Sequence, residues 1–211
     1  MHRFARIPTI LLTLTAPLAC GDAGSAATDT DPGTTSSSAS TGGSTPSTSA
    51  AESSTGIDPA ELYNCDETMF GASPLAGPGY DPGKGGIQGP LQASYVLHTT
   101  QIYIKPEAGA LFGELAQAVA EEAGKTPGLI AFSVGSDNGC GVARTMGIWA
   151  SEEAMYKLVT SEAHTKAMGM SLDLSYTGRV THWSATADEA NVYTWDVARA
   201  KIADVAPSAI Y

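Results

Sequence analysis

The stretch YIKPEAGALFGELAQAVAEEAGKTPGLIAFSV, Tyr103 to Val134, decides the fold. It opens on strand-forming residues. Pro106 has the fixed backbone angle that a first helical position needs and lacks only an N–H that would go unused there. Leu111, Leu115 and Val119 then recur at i, i+4 and i+8, one stripe of a helix. Gly124 ends that stripe and Pro127 follows it, the usual order at a helix C-terminus. Gly128 to Asp137, GLIAFSVGSD, reads as a second strand.

Upstream, Ser94 to Lys105, SYVLHTTQIYIK, is the first strand. It places Tyr95, Leu97 and Tyr103 on one side and Val96, Ile102 and Ile104 on the other. A strand that is apolar on both sides belongs to a sheet covered on both faces. Downstream, Asn138 to Gly141 is a turn and Val142 to Ala150 a third strand, so the second and third strands form a hairpin. Ser151 is placed to cap a helix, with Glu152 and Glu153 in its first turn where the helix dipole favours acids. Met155, Leu158 and Val159 are its buried stripe, and Ser161 restarts a short helical piece through His164 to Met170. Gly178 to Thr186 is a fourth strand, and Thr194 caps a terminal helix with Trp195, Ala198 and Ile202 on one side. The order is βαββαβ plus a C-terminal helix. It predicts an α+β, ferredoxin-like antiparallel sheet with the helices on one face. The other face then expects a second copy of the chain, or failing that the 57–93 segment or the C-terminal helix.

Those same residues, together with RTMGIWASEEAMYKLVTSEAHTKAM (Arg144–Met168), resemble the antibiotic-biosynthesis-monooxygenase-like domains of the dimeric α+β barrel superfamily. The resemblance runs from about Ser94 to Ser184. It rests on the proline-opened helix, on PGL leading into the second strand, and on a third strand ending in Trp149. A helix ending in a Ser–His–Met pattern completes it. The resemblance implies a homodimer and a small apolar or aromatic ligand between sheet and helices. It also implies chemistry akin to cofactor-free monooxygenation. In the haem-degrading branch of that superfamily a tryptophan lines the pocket, and Trp149 matches it. The asparagine and the haem-ligating histidine of that branch fall on Thr100 and Met168 here, and His164 lies one helical turn before Met168. No cofactor is therefore expected, and haem is disfavoured. The alternative is a non-catalytic binding or structural domain that kept the fold.

The chain has 211 residues and a formal charge of −11. That balance argues against nucleic acid, whose phosphates need a basic face. Residues 1–20, MHRFARIPTILLTLTAPLAC, resemble a bacterial lipoprotein signal: a polar start with His2, Arg3 and Arg6, an apolar run, and Cys20 as the lipidation site. Leu18 and Ala19 fit the pattern, and Pro17 departs from it. Residues 21–56 are Ser/Thr/Gly-rich without large apolar groups and read as a disordered linker. The expected location is the cell envelope, with a lipid-anchored domain at an outer-membrane or outward surface. Residues 57–92 read as a Gly/Pro-rich wrapping segment, with Asp58 and Pro59 opening a short helix, and residues 93–211 as the folded domain. The glycines of the wrapping segment lack the GxxxxGK[ST] spacing of a phosphate loop. SVGSDNG lacks the context of a hydrolase nucleophile.

Candidate catalytic residues are His164 and Trp149. For His164 the alternative is a helix-surface histidine, and for Trp149 a core aromatic. His98, Thr100, His182 and Met168 are candidate pocket residues, with Tyr95, Tyr103 and Arg144 beside them. No metal is expected, since two strand histidines do not make a ligand set. Cys65 and Cys140 remain once Cys20 is assigned to lipid. In an oxidising compartment they are expected to bridge and pin the wrapping segment to the hairpin, the alternative being two free thiols.

Overall fold

A computed structural model describes residues 57–208. Cys20, the signal and the linker lie outside them. Asp58 accepts a hydrogen bond from the Ala60 N–H and Pro59 takes the first helical position, so one turn, α1 (Pro59–Leu62), forms as expected. The segment that follows is more structured than its glycine content implies. It contributes β1 (Gly71–Ala72), β2 (Tyr80–Asp81) and β3 (Gly86–Ile87).

The first long strand is β4 (Tyr95–Ile104). Pro106 opens a 3-10 turn, Pro106–Ala108, which runs into α2 (Gly109–Lys125). The hairpin is β5 (Leu129–Asp137) and β6 (Val142–Trp149). Ser151 accepts from the Ala154 N–H and starts α3 (Glu152–Val159); Ser161 accepts from the His164 N–H and starts α4 (Glu162–Gly169). A turn of helix, α5 (Ser171–Leu174), leads into β7 (Ser175–Ala185). That strand begins three residues before the expected Gly178, because Ser175 already pairs with Ile104 across a bulge. A capping box at Thr186 and Glu189 builds α6 (Ala187–Asn191), which the sequence reading lacked, and Thr194 caps α7 (Trp195–Ala203).

The sheet order is β1-β5-β6-β4-β7, antiparallel throughout. Without β1 this is the ferredoxin-like order expected from the sequence. Val96, Leu129 and Trp149 pack with Ala123, Ala154, Met155 and Leu158 beneath α2 and α3. Tyr95, Leu97, Met146 and Ile148 face the opposite way, against Leu75, Tyr80, Ile87, Ala190, Tyr193 and Ala198. Each large apolar side chain buried there is worth about 2 kcal/mol.

The second face, through which the homodimer was expected, is covered within this chain. Tyr95, Leu97, Thr99, Gln101 and Tyr103 are each 4% exposed or less within a single chain. The wrapping segment, α6 and α7 cover the face that the two-sided strand left open. Several links hold the segment, three of them through side chains far along the chain. Cys65 and Cys140 form a disulfide with Cα atoms 5.8 Å apart. The Met69 N–H donates to Asp137 Oδ2 at 2.7 Å. Glu67 accepts from Arg144 at 2.7 Å and from Arg199 at 3.1 Å. Gly77 lies so close to the β5 backbone that a Cβ would collide with the Ile130 carbonyl.

Candidate active site on the helix side of the sheet

Directly paired residues of an antiparallel sheet point to the same face. His98 on β4 pairs with Gly147 on β6 and with His182 on β7, and Gly147 pairs with Phe132 on β5. The four form one row beneath the helices. Trp149 lies two residues along β6, and its Nε1–H donates to His98 Nδ1 at 2.9 Å. That bond makes Nδ1 the acceptor and leaves the proton of the neutral ring on Nε2. Phe132 stacks on the imidazole with ring centroids 5.9 Å apart. Gly147 is what admits the ring, since a Cβ there would collide with His98 Cε1.

The next row holds Thr100, Thr145 and Val180. The two threonine hydroxyls bond to each other at 2.8 Å, and Val180 is 43% exposed. The sheet is therefore sealed around Trp149 and opens toward solvent along Thr100 and Val180. His98 is enclosed by protein yet keeps part of its surface accessible. Burial, with His164 and His182 nearby, pushes its pKa down to about 4. Burial also lowers the pKa of His164, whose Nδ1 has no hydrogen-bond partner. Both rings are held neutral at neutral pH; the acceptor nitrogen of His98 is taken by Trp149, whereas His164 Nδ1 is free to accept a proton. His182 is exposed, bonds Glu152 at 3.1 Å, and meets Tyr156 edge-on.

Of the sequence candidates, Trp149, His98, His182 and Thr100 share this face, and His164 approaches it from α4. Met168 is half-buried one turn beyond His164 on the same helix. Tyr95, Tyr103 and Arg144 belong to the opposite face. Tyr95 Oη accepts there from the Gln92 N–H, Tyr103 Oη from Gln101 Nε2, and Arg144 pairs with Glu67. The strand alternation places them there, and it was legible for Tyr95 and Tyr103. Gly147, Phe132 and Thr145 were missed. A glycine inside a strand, two residues before a tryptophan, is the signal for Gly147. Tyr193 on the second face donates to the His98 carbonyl at 2.8 Å and ties the two faces together.

The match to known families falls on these elements. Residues 96–169 match the family model described as antibiotic biosynthesis monooxygenase. The matched stretch takes in β4 through α4 and leaves out the wrapping segment, β7, α6 and α7. No curated protein matches the chain. Among solved structures, the domain is similar to an antibiotic biosynthesis monooxygenase at 20% identity and a TM-score of 0.40, over 43% of this chain and 98% of the other. It is similar to a Pseudomonas aeruginosa protein at 13% identity and a TM-score of 0.40, over 47% and 100%. It is also similar to a Lactobacillus acidophilus protein at 14% identity and a TM-score of 0.40, over 46% of this chain and 49% of that one.

The residues of this domain do not fit a haem. Trp149, the pocket tryptophan of the resemblance, is fully buried and packs with Phe132, Val119 and Met155. Thr100, at the asparagine position of the resemblance, has its hydroxyl committed to Thr145. Among the described residues no three His, Cys, Asp or Glu side chains group to hold a metal. Open clefts of about 360 Å³ lie elsewhere, one against Leu75, Met146 and Trp195, the other against Glu122 and Lys166.

Proposed function

We propose that the domain binds a small, flat, apolar or aromatic molecule on the helix side of the sheet, along His98, Thr100 and Val180, and oxidises it with dioxygen. The observation that carries this reading is the unpartnered His164 Nδ1, close to a His98 ring that Trp149 holds fixed and neutral. The free Nδ1 of neutral His164 takes a proton from an acidic C–H of the substrate. The resulting carbanion passes electrons to dioxygen. One oxygen atom enters as a carbonyl and the other leaves as water, so a methylene plus O₂ gives a ketone plus H₂O. A panel of tricyclic anthrones under air, followed by oxygen uptake, tests this. Uptake that falls at least tenfold in His164→Gln supports it, and binding without uptake overturns the catalytic part.

A second reading is a non-catalytic binding domain. The packing of Phe132 and Met155 against Trp149, with the open clefts elsewhere, favours it. Binding without uptake is its expected result.

We also propose that the chain is exported and held at a membrane through lipid on Cys20. The Cys65–Cys140 bridge supports this, because such bonds persist in oxidising compartments. The test is the intact mass of protein from the native membrane. A diacylglycerol-bearing N-terminal cysteine is expected, and an unmodified one refutes the anchor.

A further inference from the structure

We infer that residues 57–93 together with α6 and α7 act as a built-in partner for the second face of the sheet, so that one chain is the working unit. Bare antiparallel sheets with two apolar faces must find a second layer, and association with another copy is one way to supply it. Here the layer comes from the same chain. The row Tyr95, Leu97, Thr99, Gln101 and Tyr103 has no exposed member left to offer a partner. The pieces that close it lie on either side of the 96–169 match, the segment before it and α6–α7 after it, and are additions to the matched domain.

The cover is specific to this sheet. Ala76 bridges to Phe132, Ser73 bonds Ser133 and the Val134 backbone, and β1 extends the sheet beside β5. Glu67 enters the face as the acceptor for Arg144 and Arg199, and Tyr63 packs between Tyr103 and the Arg179 guanidinium. The segment and the terminal helices also brace each other. Asn191 on α6 accepts from the Ile87 N–H, and Phe70 meets Trp195 on α7 edge-on. A second copy would have to displace all of these contacts, with the Cys65–Cys140 bond holding the segment in place.

The test uses the full chain with Cys20→Ser, so that lipid does not drive association. Sedimentation across the micromolar range is expected to return the mass of one chain. Hydrogen exchange is expected to protect the Met69 and Ile87 amides. A two-chain mass in that range, or free exchange at those amides, overturns the inference. The companion variant adds Gly77→Val and Cys65→Ser, which crowd the segment off β5 and cut its tether. It is expected to lose the amide protection, bind an apolar dye and associate. A variant that stays monomeric, binds no dye and keeps its protection also overturns it.

Discussion

His98 makes the most direct prediction. Burial and two neighbouring histidines lower its pKa from 6.5 to about 4. Between those values the unfolded chain binds a proton that the folded one refuses. The contribution of His98 to stability is therefore complete above pH 6.5 and is lost as the pH falls toward 4. At 1.36 kcal/mol per unit, the loss between about pH 7 and about pH 4 is about 3 kcal/mol. Carboxylates elsewhere respond to acid too, so the wild-type protein alone does not isolate the ring. His98→Asn does, because its amide oxygen takes the place of Nδ1, still accepts from Trp149 Nε1 and carries no proton of its own. Urea unfolding at both pH values should show the wild type losing about 3 kcal/mol more than the variant. Equal losses, within about 0.5 kcal/mol, would show that His98 is not desolvated and refute the neutral-imidazole site. A ring resonance titrating near its ordinary value would refute it independently.

Removing the disulfide as the Cys65→Ser, Cys140→Ser double variant should cost about 4 kcal/mol by loop entropy across its separation of 75 residues, read from urea midpoints without reductant. A cost under about 1 kcal/mol would mean that the unfolded chain is not restrained by the bridge. Glu67→Gln leaves Arg144 buried without its anion and should destabilise by about 3 kcal/mol, whereas a neutral result would remove Glu67 as the anchor of the segment. Gly147→Ala pushes His98 from its seat, and the Trp149 indole N–H resonance should shift with loss of its hydrogen bond; an unchanged resonance would sink the packing argument.

The order of elements was legible because each boundary is local chemistry. Pro106 starts a helix whose stripe is Leu111, Leu115 and Val119, and Ser151 and Ser161 cap theirs with their own hydroxyls. The two-sided burial of β4 was equally local, since alternation alone assigns Tyr95 and Val96 to opposite faces. What covers the second face was not local. The segment holds few large apolar residues, and Leu75, Tyr80 and Ile87 are scattered among glycines with no period to read. The segment stays seated through bonds to residues far along the chain, Cys140, Asp137 and Arg144, whose proximity only the folded sheet creates. The site divides the same way. Trp149 and His98 are 51 residues apart, and their hydrogen bond depends on β4 pairing with β6 in one register. A shift of that register by one residue would send His98 to the second face and Trp149 away from it. Gly147 helps to hold the register, because it is the position opposite His98 that leaves room for a ring. The glycine that composition counts as a weakness in a strand is thus the residue on which the candidate site depends.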